Sequence, residues 1–295
     1  MVSIVLPTYN GEKYLKNSID SCLNQTFKDI ELIVVVDGRT DKTMEILSQY
    51  IDPRLIIKST PNQGLPKALN EGFALAQGKY WSWTSDDNMY LQDAIKMMVE
   101  FLDANVNAPM VATDFHRIDD NGKVTGHSSN QYSCFLYRAE AAKKTGPYRP
   151  EYALVEDVDF FLRLSHTAGP IHFIHRSYYK YRDHPGSLSA LKTSKRQFVS
   201  LKMHYDLISR NIEKASLREL FFDRIRTSAL YRDYDTMNSI LAFAREKNVV
   251  FLPSLARTAD FIKTPMGWYW NKIFMAFKTR ATWVWSFLCP QGSEK

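Results

Sequence analysis

The 295-residue chain predicts an α/β protein, with a mostly parallel sheet flanked by helices and a C-terminal helical extension. Three observations predict it. Short apolar runs without alternation recur through the first third of the chain, as expected of strands buried on both faces. Amphipathic helical spacings lie between them, the pattern of βαβ units. From about Lys192 the pattern changes to long helical stretches that hold neither Gly nor Pro until about Asn248.

The elements follow in order. Ser3–Pro7 is an apolar run ended by a proline and reads as the first strand. Gly11–Gln25 has helical spacing, with Tyr14, Leu15, Ile19, Cys22 and Leu23 on one side. Glu31–Val36 (ELIVVV) is a β-branched run that stops at the turn pair Asp37-Gly38. Asp41–Tyr50 is helical, Leu55–Lys58 a third strand, Leu65–Ala76 helical and Tyr80–Thr84 a fourth strand. The middle is less regular: Pro109–Arg117 and Gly122–Gly126 read as strands around an Asp119–Gly122 turn, Glu156–Ser165 as a helix and Ile171–Tyr181 as an aromatic strand. In parallel sheets ligands bind beyond the carboxyl ends of the strands. The loops Pro7–Gly11, Asp37–Lys42 and Ser85–Tyr90 are therefore the ones to inspect.

Composition bounds the function. With 45% hydrophobic, 13% aromatic and 24% charged residues the chain can bury a sizeable core, which excludes disordered, collagen-like and disulfide-scaffold classes. Cys22, Cys134 and Cys289 form no CxxC pair, so a reducing compartment is expected. The opening MVSIVLPTYN reads as a buried strand rather than a signal peptide, and no apolar run is long enough to span a bilayer.

The net charge of +6 is uneven. Residues 251–295 hold six Lys/Arg against two Asp/Glu, which leaves only +2 on the first 250. That near-neutral body argues against a nucleic-acid partner, which calls for basic residues on a groove of the main domain. Phe261 to Ser293 contains no acidic residue and four of the six tryptophans. Trp270, Ile273, Phe274, Phe277, Val284, Trp285 and Leu288 share one helical face, with Lys272 and Lys278 on the other. Such a basic aromatic helix suits a membrane surface, and packing on the protein's own core or on a second copy is the alternative.

Five motifs can carry chemistry. In Thr84–Tyr90 (TSDDNMY), adjacent Asp86 and Asp87 follow a strand, as a divalent cation holding a diphosphate requires; a helix-capping loop would read the same way. Pro7-Thr8-Tyr9-Asn10 follows the first strand, and Tyr9 can stack on a base or simply pack in a turn. Asp37 ends the second strand, where a carboxylate accepts from a ribose or base edge; capping by Thr40 or Asp41 is the alternative for that segment. Glu156-Asp157 opens a helix and offers a general base, or complements the helix N-terminus. Arg182, His184 and Ser187 can face a phosphate or a metal, although a lone histidine is as often structural. Neither GxGxxG nor GxxxxGK[ST] is present.

In this order, over about residues 2–190, the segments VLPTYNGEKYL, ELIVVVDGRTDKT, NQGLPKALNEGFALAQGKYWSWTSDDN, VEDVDFFLRL and YRDHPGSLS resemble glycosyltransferase family 2, the inverting enzymes of Rossmann-like GT-A fold. Two departures stand out: Val36 and Thr84 occupy places where many members carry aspartates. The resemblance implies that Pro7, Tyr9 and Asp37 hold the nucleoside, usually uridine. It places Asp86 and Asp87 at the sugar and metal position, with Asp87 the ligand of Mg²⁺ or Mn²⁺. Asp157 would be the general base, Glu156 its neighbour at the acceptor or donor sugar, and Arg182 and His184 would approach the diphosphate.

The expected function is hexosyl transfer, with inversion, from a nucleotide-diphosphate sugar to a glycan or polyprenyl-linked acceptor, in cell-surface polysaccharide or glycoconjugate synthesis. A non-catalytic nucleotide- or carbohydrate-binding module on the same fold is the competing reading. The expected layout is a transferase domain over 1–190, a helical subdomain over 191–250 and a tail over 251–295, with 261–289 on the membrane surface. The expected location is the cytoplasm, on the inner face of the cell membrane.

Overall fold

The structure is a computed structural model of the chain. It describes residues 1–129, 131–188, 199–200, 202–203, 234–247 and 252–264. The chain divides into two compact units, Met1–Leu191 and Lys192–Lys295.

The first unit opens with a βαβ series: β1 (Val2–Thr8), α1 (Leu15–Leu23), β2 (Ile30–Asp37), α2 (Thr43–Leu47), β3 (Leu55–Thr60), α3 (Leu65–Phe73) and β4 (Tyr80–Trp83). Then come β5 (Met89–Tyr90), α4 (Ala94–Ala104), β6 (Met110–Ile118), β7 (Val124–Ser128), β8 (Cys134–Arg138), α5 (Ala139–Thr145), a 3-10 turn at Pro150–Tyr152, α6 (Glu156–Ala168) and β9 (Ile171–Arg182). The strands form one sheet in the order β3-β2-β1-β4-β8-β6-β9-β5, with β7 paired on β6. β3, β2, β1 and β4 run parallel, as do β6 and β9, whereas β8 lies antiparallel between β4 and β6.

The unbroken apolar runs of β1 and β2 have the physical cause anticipated: every residue in both strands is buried. Side chains alternate between two cores. Ile4, Leu6, Leu32 and Val34 face α1 and α4, whose Leu15, Ile19, Ile95 and Met98 complete that layer. Val5, Ile33 and Val35 face the opposite layer, which holds Leu69 of α3, Ala142 of α5 and Phe160 of α6. β3 is an edge strand, and its Ile56 and Ile57 are correspondingly exposed.

Sequence and structure differ in the middle of the chain. β5, α4, β8 and α5 all fall where no regular element was expected. β8 is five residues long and is a strand because β4 and β6 pair with it on either side, a contact remote in sequence. The expected helix Asp41–Tyr50 shrinks to Thr43–Leu47. Asp41 explains its start: its carboxylate accepts from the Thr43 N–H at 3.0 Å and from the Glu12 N–H at 2.9 Å.

In the second unit, α7 (Tyr234–Glu246) and α8 (Leu252–Lys263) are described. α7 buries Met237, Ile240 and Phe243, and α8 buries Leu255 and Ala259. The tryptophans of the tail, and most of the segments 191–250 and 261–289, lie outside the described residues. Among those described, no helix is long and apolar enough to cross a membrane.

Candidate active site

The strand order reverses at β1, which pairs with β2 on one side and β4 on the other. A crevice opens beyond such a switch point. The loops leaving β1 and β4 meet there because Val5 pairs with Trp83 in parallel register. Thr8, at the end of β1, donates its hydroxyl to Asp86 Oδ2 at 2.5 Å. Gly11 lies against this pair, and a Cβ there would overlap both Thr8 Oγ1 and Asp86 Oδ2. Asn10 adopts a left-handed φ of 54°. It crosses to the next loop, donating to Thr40 Oγ1 at 3.1 Å and accepting from the Thr40 N–H at 2.8 Å.

β5 pairs antiparallel with the end of β9, bringing the second half of the acidic loop to Arg182 and His184. The Arg182 N–H donates to Asn88 Oδ1 at 2.8 Å. His184 Nε2 lies 2.9 Å from Asp87 Oδ2. Asp87 Oδ1 is buried and accepts no hydrogen bond among the described residues. A carboxylate oxygen in that state marks a place for a donor or a cation. Burial pushes the Asp86 carboxyl up to about 7, and the neighbouring Asp87 charge pushes the same way, against the Thr8 hydrogen bond. A divalent cation would relieve both effects, so the pair fits Mg²⁺ or Mn²⁺. No three His, Cys, Asp or Glu among the described residues converge as a closed metal cage. An ion held by one or two side chains and completed by diphosphate oxygens needs no such cage.

Arg182 is placed differently from expectation. Its guanidinium is buried and donates to the carbonyls of Asp87 at 3.0 Å and of Asp119 and Asp120 at 2.9 Å each. It also lies 4.5 Å above the Tyr14 ring, and the Tyr14 hydroxyl donates to Asp120. Arg182 thus positions the acidic loop rather than reaching into the crevice. The sequence places Tyr14 on an apolar helical face, Asn88 as a candidate cap and Asp120 in a turn, and no local signal marks the contacts they make here.

The other candidates lie around this centre. Tyr9 is exposed, while Pro7 is buried within β1 opposite Val35. Asp37 is buried at the end of β2 and accepts from the Gln63 and Gly64 N–H groups at 3.0 and 2.8 Å, fixing the loop that starts α3. Gly38, with φ of 79°, packs so closely on Asn62 that no side chain fits there.

Glu156 and Asp157 open α6 after Val155, which follows Leu154, a non-glycine residue at φ 83°. The motif divides its labour. Asp159 is fully buried and paired with Arg149 and Arg163. Glu156 is buried. Asp157 is half-buried, and its Oδ1 accepts the Val158 N–H at 2.8 Å. The Trp83 indole N–H, at the end of β4, donates to the Tyr148 hydroxyl at 3.0 Å. That hydroxyl is pushed up first by burial and also by the charges of Asp157 and Glu156. Tyr148 thus joins the strand that carries the acidic loop to the helix that carries the candidate base.

The β1/β4 switch point, with Asp86 and Asp87 in the loop beyond it, defines a Rossmann-like α/β protein of GT-A fold. The family model described as "Glycosyl transferase family 2" matches residues 3–169, and the chain belongs to that family, as a glycosyltransferase. Among curated relatives it is 40% identical over 111 residues to an uncharacterized glycosyltransferase of Rickettsia typhi, covering 38% of this chain and 35% of that one. It is 26% identical over 235 residues to chondroitin synthase of Escherichia coli, covering 74% of this chain and 34% of the synthase. It is 25% identical over 240 residues to hyaluronan synthase of Pasteurella multocida, covering 76% and 24%. The match therefore spans about a third of the chondroitin synthase and about a quarter of the hyaluronan synthase. Among solved structures, Staphylococcus aureus TarS 1–349 in complex with UDP-GlcNAc superposes with a TM-score of 0.67 at 16% identity, covering 94% of this chain and 91% of that one. A Pyrobaculum calidifontis mannosyltransferase in complex with GDP-Man and Mn²⁺ superposes with a TM-score of 0.60 at 15% identity, covering 92% and 83%. At these identities the two structures establish the GT-A fold alone.

Proposed function

We propose that this glycosyltransferase moves a hexosyl group from a nucleotide-diphosphate sugar, a UDP-sugar first, to a hydroxyl of a glycan or lipid-linked acceptor, inverting the anomeric carbon. The observation that carries the reading is the Asp86–Asp87 pair at the switch point, with Thr8 on one carboxylate and His184 on the other. The nucleotide sugars bound to the two structural relatives support such a donor.

Asp87 and His184 would hold Mg²⁺ or Mn²⁺, which supplies charge neutralisation to the leaving diphosphate. Asp37, Tyr9 and the backbone around Pro7 would receive the nucleoside, and Glu156 would face a sugar. Asp157 would accept the proton of the attacking hydroxyl, whose oxygen bonds to the anomeric carbon as the nucleoside diphosphate departs from the opposite face. One displacement inverts the centre, so no protein nucleophile is required. The basic aromatic segment 261–289 would rest on the inner face of the cell membrane, beyond a helical subdomain over 191–250, and give access to a lipid-linked acceptor in surface polysaccharide synthesis.

Calorimetric titration with UDP tests the donor side. Binding that requires Mn²⁺ and is abolished by Asp87→Ala is expected. UDP binding that ignores both metal removal and Asp87→Ala would overturn the metal assignment. Failure of UDP, GDP and dTDP alike would favour a non-catalytic carbohydrate-binding module.

A further inference from the structure

A second polar cluster lies outside this centre, on β6, β7 and β9. Asp114 sits in the middle of β6, and its carboxylate is 5% exposed. His127 Nε2 stands 3.5 Å from Asp114 Oδ2 and His175 Nδ1 stands 3.6 Å from Oδ1, beyond hydrogen-bond distance in both cases. Asp114 Oδ1 is buried and accepts no hydrogen bond among the described residues. The two imidazoles are 50% and 63% exposed, so the carboxylate lies beneath a rim open to solvent. His127 is oriented from both ring nitrogens, with Ser177 Oγ 2.9 Å from Nδ1 and Ser129 Oγ 3.0 Å from Nε2.

The backbone is shaped around this group. The β6–β9 register shifts on both sides of Asp114, between Thr113 and Asp114 and again between Asp114 and His116. The first shift leaves His175 and Arg176 outside the pairing, so His175 turns toward the carboxylate. Bulges of this kind re-aim side chains and are enriched beside functional sites. Aromatic rings adjoin the cluster: Phe173 stacks with His175 at 6.2 Å, and Tyr132 lies 5.6 Å from Phe173 and 5.1 Å from Phe161 of α6. Asp114 alternates with Phe115, which packs in the α1/α4 layer, so it points to the face covered by α6.

The ligand can be narrowed by chemistry. A metal ion is disfavoured, because serine hydroxyls engage both ring nitrogens of His127 and the three side chains do not make a group that could hold one. An anion is disfavoured by the buried carboxylate at the centre. A neutral hydroxyl group donates to Asp114 Oδ1, imidazoles either donate or accept, and the partly buried rings of Tyr132 and Phe173 offer an apolar surface to a pyranose. We infer that Asp114, His127 and His175 form a saccharide subsite that holds a sugar residue of the acceptor. This rests on the transferase reading, and it places acceptor recognition on the same sheet face as Asp157.

The test uses the full chain on a printed array of oligosaccharides of two to six residues, alongside calorimetry with UDP and Mn²⁺. The wild type is expected to retain at least one arrayed glycan. Asp114→Asn, and separately the double substitution of His127 and His175 by Ala, are expected to weaken it by about tenfold or more with UDP affinity unchanged. Unchanged UDP affinity shows that each variant is folded with its donor site intact. Equal glycan binding by Asp114→Asn and wild type overturns the subsite, as does a wild type that binds UDP but no arrayed glycan. Wild type that binds glycans but not UDP overturns the donor reading instead, and leaves a saccharide-binding site standing.

Discussion

The acidic residues of this chain show how environment divides one chemical type into several roles. Asp159 is buried between two arginines and is structural, whereas Asp157, two residues earlier, keeps a half-buried carboxylate at the start of the same helix. Asp157→Asn removes the proposed base but preserves shape. We expect kcat to fall by about 10²- to 10⁴-fold, as for loss of a general base, with UDP affinity retained. Steady-state kinetics beside calorimetry separates the two quantities, and an unchanged kcat would remove Asp157 from the mechanism. Gly11 is demanding for a different reason, since its missing Cβ is what lets Thr8 reach Asp86. Gly11→Ala should weaken metal-dependent UDP binding more than it lowers the melting temperature. A variant with intact UDP binding would show that the Thr8–Asp86 contact is dispensable.

Helix α6 and strand β9 act as carriers for the site. The N-terminus of α6 is anchored by Asp159, which joins Arg149 before the helix to Arg163 one turn later. Neutralising that carboxylate leaves two guanidinium groups facing an amide in a buried place. Asp159→Asn should therefore cost about 3 kcal/mol, read as a lower urea midpoint with an unchanged m-value. A midpoint within experimental error of wild type would mean that the triad contributes little. β9 performs the corresponding task for the acidic loop, since Arg182 at its end fastens the carbonyls of residues 87, 119 and 120. The sequence motif containing Arg182 was visible; its function as a clamp was not, because the three carbonyls come from two loops distant in sequence.

Met1–Leu191 holds both layers of core around the sheet, drawn from residues between Val2 and Tyr181. A chain ending at residue 191 should therefore fold and bind UDP with Mn²⁺, and should fail to sediment with anionic lipid vesicles, because it lacks the basic aromatic segment 261–289. Circular dichroism, calorimetry and vesicle sedimentation check the three parts. Sedimentation equal to that of the full chain would place any membrane contact elsewhere.

Much of the architecture was legible locally. Strands buried on both faces leave continuous apolar runs, and the loops that follow them are short, so β1, β2, β4 and the acidic loop could be placed from residue order alone. The family resemblance rested on the same local segments. What tertiary structure decided is whatever depends on pairing between remote segments. β8 is a strand only between β4 and β6. His184 meets Asp87 because β5 pairs with β9. Asp114 meets His127 through the pairing of β6 with β7, and His175 through a shifted β6–β9 register. Periodicity records which face of an element is buried, but not which distant element buries it. The residue types at the centre were therefore determined by sequence, while their partners and the roles those partners impose were settled by the sheet.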